Sequence, residues 1–320
     1  MNAYLYKLQF QTAAHFGAPD SAMSLESAEE RFCADTLFSA LCHAAATMRG
    51  PDAASRLCEE ARTGAFLLSD SMPWKGDAFF LPRPMLDADA PTGLDPQTRK
   101  AIKKLNWLPV DALDDFAAFL RGAGTFTLSD IPGDFGDFAV TEHASIPRES
   151  GGDANPYAVS VFQFYPDCGL YFIALLESPE QEARLSALVR GLGVTGIGGK
   201  TGAGYGKFSL LEAFDLNGAS DTRTTRLKDA LFQSDSPRQL LLTTSLPRPE
   251  EMESALDGAC FQMVRRAGFA RPASPETRDR KKLAQYFLTS GSVLRRRFAG
   301  DLYPVGANAF RYGRPVFLGF

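Results

Sequence analysis

The stretch GLGVTGIGGKTGAGYGKF, residues 191–208, decides how this chain is read, because eight of its first sixteen residues are glycine. Upstream, 180–192 carries Leu185, Leu188, Val189 and Leu192 at the spacing of one helix face. Downstream, 207–214 reads as a strand. The order is therefore helix, glycine loop, strand. Gly191-x-Gly193-x-x-Gly196 has the spacing of a dinucleotide fingerprint, but that fingerprint works with a strand before the glycines and a helix after them. Gly199-Lys200-Thr201 suggests a P-loop, yet Val194 occupies the required glycine position and no helix follows. A nucleotide cofactor does not fit, and no cofactor is expected. What remains is a loop whose few side chains let a polyanion approach main-chain amides, with Lys200 and Lys207 supplying charge. GYGKF, 204–208, also shares G-[FY]-G with an RNA-recognition motif, although Lys207 stands where an aromatic residue should follow. The alternative is a connector that uses glycine for turns.

Working outward, 3–12 alternates with Tyr4, Tyr6, Leu8 and Phe10 on one face, the period of a strand. A polar stretch, 15–31, leads to Asp35, a candidate cap for a helix bearing Leu37, Leu41, Ala44 and Met48. Residues 73–136 read as an insertion containing one amphipathic helix, 111–121. Two apolar runs, VSVFQFY and GLYFIALLE, flank the turn 166–169 and read as a hairpin over 158–177. The polar segment 217–236 reads as a linker. Beyond it 238–247 is a strand, 249–264 a helix opened by Pro249 and acidic residues, and 284–294 and 315–320 are further strands. The expected fold is α+β: two β-α-β-β-α-β-like units, 1–216 with insertions and the glycine-rich loop, and a shorter one over 237–320.

The 320 residues are 45% hydrophobic, with 34 basic against 38 acidic side chains and a net charge of −4. Taken whole, that balance speaks against bulk-charge gripping of nucleic acid. Its distribution does not: 221–320 holds 17 basic and 10 acidic side chains, so this region is basic and the remainder acidic. The N-terminus has no signal-peptide pattern and no apolar run is long enough for a membrane helix. Five cysteines without a C-x-x-C pair fit a reduced cytoplasm, and three histidines, His15, His43 and His143, lack metal-ligand spacing, so no metal is expected.

HFG at 15–17, ADTLFSALC at 34–42, GLYFIALL at 169–176, GIGGKTGAGYGKF at 196–208 and the terminal FRYGRPVFLGF together resemble the RAMP superfamily, and within it the Csm4-type subunits of type III-A CRISPR interference complexes. The resemblance runs from residue 4 to residue 320. It implies two ferredoxin-like (RRM-like) domains that hold the 5′ handle of a CRISPR RNA and join the large polymerase-like subunit to the backbone RAMP subunits, without being the nuclease. The family's phosphate-contacting loop falls on Gly196, Gly198, Gly199, Lys200, Thr201, Gly202, Gly204, Tyr205, Gly206 and Lys207. Its first-loop histidine falls on His15. A mid-chain motif approximating H-N-x-I-D-R falls on 143–148, where His143, Ile146 and Arg148 match and Ala144 and Pro147 depart; Arg148 is the RNA candidate there.

Several residues carry more than one reading. His15 contacts RNA, makes a structural hydrogen bond, or acts in 2′-hydroxyl attack if the fold supplies a partner acid, lysine or histidine. GGDA at 151–154 lacks the second carboxylate of a metal-binding GGDD turn and reads as turn chemistry. Arg295, Arg296, Arg297, Arg311 and Arg314 form either a phosphate stripe or a solvated run. Phe16, Tyr205 and Phe310 stack on bases or belong to the core. The expected function is a non-catalytic scaffold whose two domains clamp the RNA between facing surfaces, the acidic half meeting protein partners. The alternatives are an endoribonuclease using His15 and a protein-interaction subunit without RNA contact.

Overall fold

The computed structural model describes residues 1–18, 25–87, 94–127, 133–146, 153–218, 222–270, 280–306 and 309–320. The alternating N-terminal segment forms β1 (Asn2–Phe10), and two-residue strands β2 (Phe16–Gly17) and β3 (Ala28–Glu29) follow. Helices α1 (Ala34–Arg49) and α2 (Pro51–Thr63), joined through Gly50 and packed on each other, then follow, α2 being absent from the sequence-based expectation. Cys33, not Asp35, holds the N-cap position of α1, and its side chain makes no cap bond. The Asp70 carboxylate caps the helix instead, accepting from the Ala34 amide at 2.8 Å, which leaves Asp35 in the first turn for another partner.

Strands β4 (Phe66–Leu68), β5 (Met72–Lys75), β6 (Ala78–Pro82) and β7 (Trp107–Pro109), with helices α3 (Pro96–Lys104) and α4 (Leu113–Leu120), fill the middle region. This region is less an insertion than an extension of the main sheet. Next come β8 (Gly136–Ser145), β9 (Asn155–Phe164), β10 (Cys168–Leu176), α5 (Pro179–Thr195) and β11 (Phe208–Asp215). The main sheet has seven strands in the order β11-β1-β10-β5-β6-β7, with β4 also on β10, and the pairings are antiparallel.

The hairpin expected over 158–177 does not form. The tight turn exists, but β9 pairs along its whole length with β8, while β10 enters the main sheet between β1 and β5. All nine β10 residues are buried, whereas β8 is mostly exposed. An uninterrupted apolar strand is stabilised where both its faces are covered, and β9 offers no such site.

The second half holds α6 (Thr222–Phe232), β12 (Gln239–Leu241), α7 (Met252–Leu256), β13 (Met263–Arg266), β14 (Phe269–Ala270), β15 (Arg280–Lys281), β16 (Gln285–Leu288), β17 (Val293–Leu294), β18 (Leu302–Gly306), β19 (Ala309–Tyr312) and β20 (Phe317–Gly319). Three expectations change here. The linker contains α6, whose Leu227 and Leu231 enter the core. The helix expected over 249–264 stops at Leu256, because Asp257 is extended and Gly258 turns left-handed at φ 61°. The strand expected over 284–294 breaks at Gly291, φ 92°, into β16 and β17, which join different sheets.

The two halves share a strand pattern. In the first, β1 is flanked by β10 and β11; in the second, β12 is flanked by β17 and β20. Each central strand is the first of its half, one neighbour follows a β-hairpin arm, and the other is the last strand of its half.

The main sheet separates two cores. Tyr4, Tyr6, Leu8, Leu170 and Phe172 face α1, α2 and α5. Ala3, Leu5, Tyr171 and Ile173 face α6 and Leu240, Leu242, Val293, Val316 and Leu318 of the second half. The facing surfaces of the two halves are thus one dry core, which corrects the expectation of an RNA clamp between them. An interior packed this way has no room for a strand of nucleic acid. A polar joint reinforces the contact. Arg266 of β13 donates to Asp35 at 2.6 and 3.1 Å, and Thr244 donates to Asp70 at 2.6 Å.

Candidate RNA interface

Helix α5 begins with a reciprocal capping box between Ser178 and Gln181 and runs through Gly191 and Gly193 before ending at Gly196, φ 90°. The glycine loop proper therefore spans 196–206. It is stitched to the segment after β1: the Gly199 amide donates to the His15 carbonyl and the Gly206 amide to the Ala13 carbonyl, each at 2.8 Å. Ala14 in turn exchanges two hydrogen bonds with Phe162 of β9, at 2.9 and 2.8 Å. Residues 13–15 are the seam that fixes the loop against the β8–β9 arm.

This explains most of the glycines, and not in the way the bare sequence suggests. A Cβ on Gly206 would sit 2.0 Å from the Ile197 carbonyl oxygen, and one on Gly199 would sit 2.6 Å from Cδ2 of His15. Gly193, Gly196 and Gly198 likewise abut backbone oxygens. Their missing side chains are filled by this chain, not left for a ligand. Gly202 and Gly204 differ: a Cβ there meets nothing within 4 Å. The polyanion reading survives at these two positions, next to half-buried Thr201 and beside Lys200.

Lys200 has φ 56° and ψ 26°, the only non-glycine with positive φ among the described residues. Holding an L-residue there costs about 1–2 kcal/mol. The strained backbone holds the lysine over Tyr157 of β9, with Nζ 4.4 Å from the ring centroid and 3.3 Å from the phenol oxygen. The Tyr157 ring stacks on His143 of β8, centroids 5.4 Å apart and planes 18° apart. His143 Nε2 lies 3.0 Å from the Tyr205 hydroxyl, which is also 3.0 Å from Thr141 Oγ1. Lysine, tyrosine, histidine and tyrosine thus form one half-exposed row where loop meets arm. A cation beside flat rings is the chemistry that meets phosphate and base together. Lys207 is exposed at the exit of the loop, its amide held by Thr12 Oγ1 at 3.0 Å. Tyr157 and Thr141 escape the sequence reading; the signal for Tyr157 is its cross-strand pairing with His143.

Other candidates lie elsewhere. His15 is 3% exposed, with Nδ1 2.6 Å from the Ser160 carbonyl oxygen, so its imidazole serves the seam and is not presented to a ligand. No carboxylate, lysine or second histidine is among its hydrogen-bond partners in the described residues. Arg148 lies outside the described residues, as do Gly151 and Gly152 of the GGDA turn. Phe16 is buried in the helix-side core, and Phe310 is partly exposed under the Arg62 guanidinium, 5.2 Å from its ring.

Three of the five arginines of the expected stripe are taken up by the fold. Arg311 is 3% exposed, donates to the Leu283 carbonyl and the Gln285 side chain, and lies 3.7 Å from Asp35. Arg314 is buried and donates to the Arg62 carbonyl at the end of α2. Arg297 ties α6 to β12, donating to Leu231, Gln233 and Gln239. These guanidiniums are taken up by main-chain carbonyls and side-chain acceptors of this chain. Arg295 and Arg296 are exposed, Arg295 lying across Gly258.

Among the described residues, no three metal-ligating side chains gather, and no helix is long and apolar enough to cross a membrane.

Residues 234–320 match the family model described as the CRISPR Csm4 C-terminal domain. The "CRISPR system Cms protein Csm4" of Mycobacterium tuberculosis (strain CDC 1551 / Oshkosh) is 32% identical over 328 residues, covering 99% of this chain and 98% of the relative. The protein of the same name from Streptococcus thermophilus is 28% identical over 333 residues, with 99% and 98% covered. A chain of the crystal structure of the Csm3-Csm4 subcomplex in the type III-A CRISPR-Cas interference complex superposes with a TM-score of 0.64 at 15% identity, covering 100% of this chain and 99% of that one. A chain of the Csm1-Csm4 cassette in complex with cA4 gives 0.58 at 18% identity, with 100% and 98% covered. With a relative this similar along its whole length, the chain belongs to the Csm4 family.

Proposed function

We propose that this chain is a non-catalytic, cytoplasmic RNA-holding subunit of a type III-A CRISPR interference complex. It grips the 5′ handle of the CRISPR RNA and bridges the large polymerase-like subunit to the backbone subunits in antiviral defence. The partners follow from the structurally similar chains of the Csm3-Csm4 subcomplex and the Csm1-Csm4 cassette. We further read the chain as two ferredoxin-like units, 1–216 and 237–320, the second reduced. The matching strand orders β11-β1-β10 and β20-β12-β17 support that reading.

The observation that carries the function is the row of Lys200, Tyr157, His143 and Tyr205 beside Gly202 and Gly204. Strain is spent there on presenting a cation, and the adjoining main chain is open. RNA runs over the outside of the loop and the β8–β9 arm, since the sheet surfaces are occupied by core. His15 holds that loop in shape through its carbonyl and Nδ1, a role that needs no proton transfer.

The test is to purify the tagged protein from its host and sequence the RNA that accompanies it. Short RNAs sharing one 5′ sequence, together with partner subunits, are expected; recovery of neither defeats the proposal.

A further inference from the structure

The second half carries a hairpin arm in the place that β8–β9 occupies in the first. Strand β9 leads into β10, the neighbour of β1; β16 leads into β17, the neighbour of β12. The β13–β16 ribbon is built differently on its two faces. On the inner face Phe287 is fully buried and Arg266 is spent on Asp35. On the outer face Arg265 pairs across the strands with Tyr286. Farther out, in the β14–β15 ladder, Phe269 pairs with Lys281. Directly opposed residues of an antiparallel ladder point to the same side. Each ladder thus sets an aromatic ring beside a cation, and the rings are open: Tyr286 is 58% and Phe269 63% exposed. Met263 and Leu283 add exposed apolar surface.

Charge singles out the partner. Leaving aside the inward-facing Arg266, residues 261–270 and 280–288 contain four basic side chains and no acidic one among the described residues. Repeated cation and ring neighbours fit single-stranded nucleic acid, whose phosphates and base faces alternate along the chain. We propose that the outer face of the β13–β16 ribbon, through Tyr286 and Arg265, together with the Phe269–Lys281 pair of the β14–β15 ladder, is a second single-stranded RNA-binding surface. It works independently of the glycine loop and stacks bases rather than reading them. The proposal rests on the RNA-holding function above and extends it to the far end of the molecule.

The test uses the full chain and a fluorescein-labelled, unstructured single-stranded RNA of about 20 nucleotides, long enough for several stacked bases, read by anisotropy. Three paired variants are compared with the wild type: Phe269→Ala with Tyr286→Ala, Arg265→Ala with Lys281→Ala, and Lys200→Ala with Lys207→Ala. All six side chains are at least partly exposed, and thermal melts verify that the variants fold. Removing the two rings is expected to weaken binding about 30-fold or more, with the salt slope unchanged. Tyr286→Phe should restore binding in the presence of Phe269. Removing the two cations should lower the slope of log K against log salt by about 1.4. Wild-type affinity in the ring variant overturns this surface. If the Lys200 and Lys207 variant still loses affinity, the proposed function stands without it. Absence of binding by the wild type overturns both. Unchanged RNA binding with loss of partner subunits from the ring variant overturns the RNA assignment in favour of a protein-docking face.

Discussion

Lys200 and Arg311 are both cations beside aromatic rings, 4.4 Å from Tyr157 and 6.0 Å from Phe287. They do opposite things. Arg311 is enclosed, satisfied by carbonyl oxygen, amide oxygen and the Asp35 carboxylate, and it stabilises the joint between the two halves. Lys200 sits in a backbone conformation that costs free energy and has one long hydrogen bond, to a phenol. A sequence presents both as positive charge near aromatic residues. Only burial and the count of satisfied donors separate a cation that holds the protein together from one kept ready for something outside it.

The comparison breaks most visibly at the joint. Arg266→Ala leaves the Asp35 carboxylate buried with a weakened partner set, and should cost about 3–5 kcal/mol in denaturant unfolding while leaving the glycine-loop contacts intact. The same joint sets an acid limit. Burial alone would push the Asp35 carboxyl up, but Arg266 and Arg311 more than offset this and hold it below the usual carboxylate range. A group depressed on folding contributes its full stabilisation above the unfolded value, about 3.9, and loses it as pH falls towards the folded one. Acid unfolding of Asp35→Asn should therefore be less steep with pH than that of the wild type. Equal slopes would remove Asp35 from the account.

Next in size is a pair of glycines. Gly206→Ala drives a Cβ into the Ile197 carbonyl at φ +72° and should destabilise by about 3 kcal/mol, from left-handed strain and overpacking together. Gly202→Ala meets open space and should change stability by no more than about 0.5 kcal/mol. Any loss of RNA affinity in Gly202→Ala then reports on the ligand. The smallest effect runs the other way. Lys200→Gly relieves the strain and should raise stability by about 1 kcal/mol, yet lower the salt slope of RNA binding by about 0.7. A variant that is no more stable would mean that the left-handed turn costs nothing.

How far the sequence could be read follows from the range of each signal. The alternation of Tyr4, Tyr6 and Leu8 is local, and β1 forms as it predicts. Ser178, Pro179 and Gln181 announce the start of α5 just as locally. The turn after β9 is also legible, but β9 pairs back onto its other neighbour β8, and β10 finds β1 far along the chain, so the expected pairing fails. The loop glycines are visible, but whether a ligand or the chain's own carbonyls fill the space beside them is not. Arg297, Arg311 and Arg314 look like a binding stripe because a sequence does not record that α6, the 283–285 segment and the end of α2 bring acceptors to them. Tyr157 gains its importance from a lysine 43 positions away.

The shared core also sets a schedule. Strand β11 completes the first sheet, but the apolar underside of β1 and β10 is covered by Val316 and Leu318, made roughly a hundred residues later. The Leu68 amide likewise waits for the hydroxyl of Tyr312, 244 positions downstream. At about 5–20 residues per second, that interval is on the order of 5–20 s during which a formed sheet waits for its apolar side to be fully covered, first by α6 and last by β20. Chains cut short of β20 leave the share of Val316 and Leu318 uncovered permanently. The last few residues therefore act as a closing tally of synthesis: a chain lacking them should be insoluble or degraded rather than enter an assembly as a defective subunit.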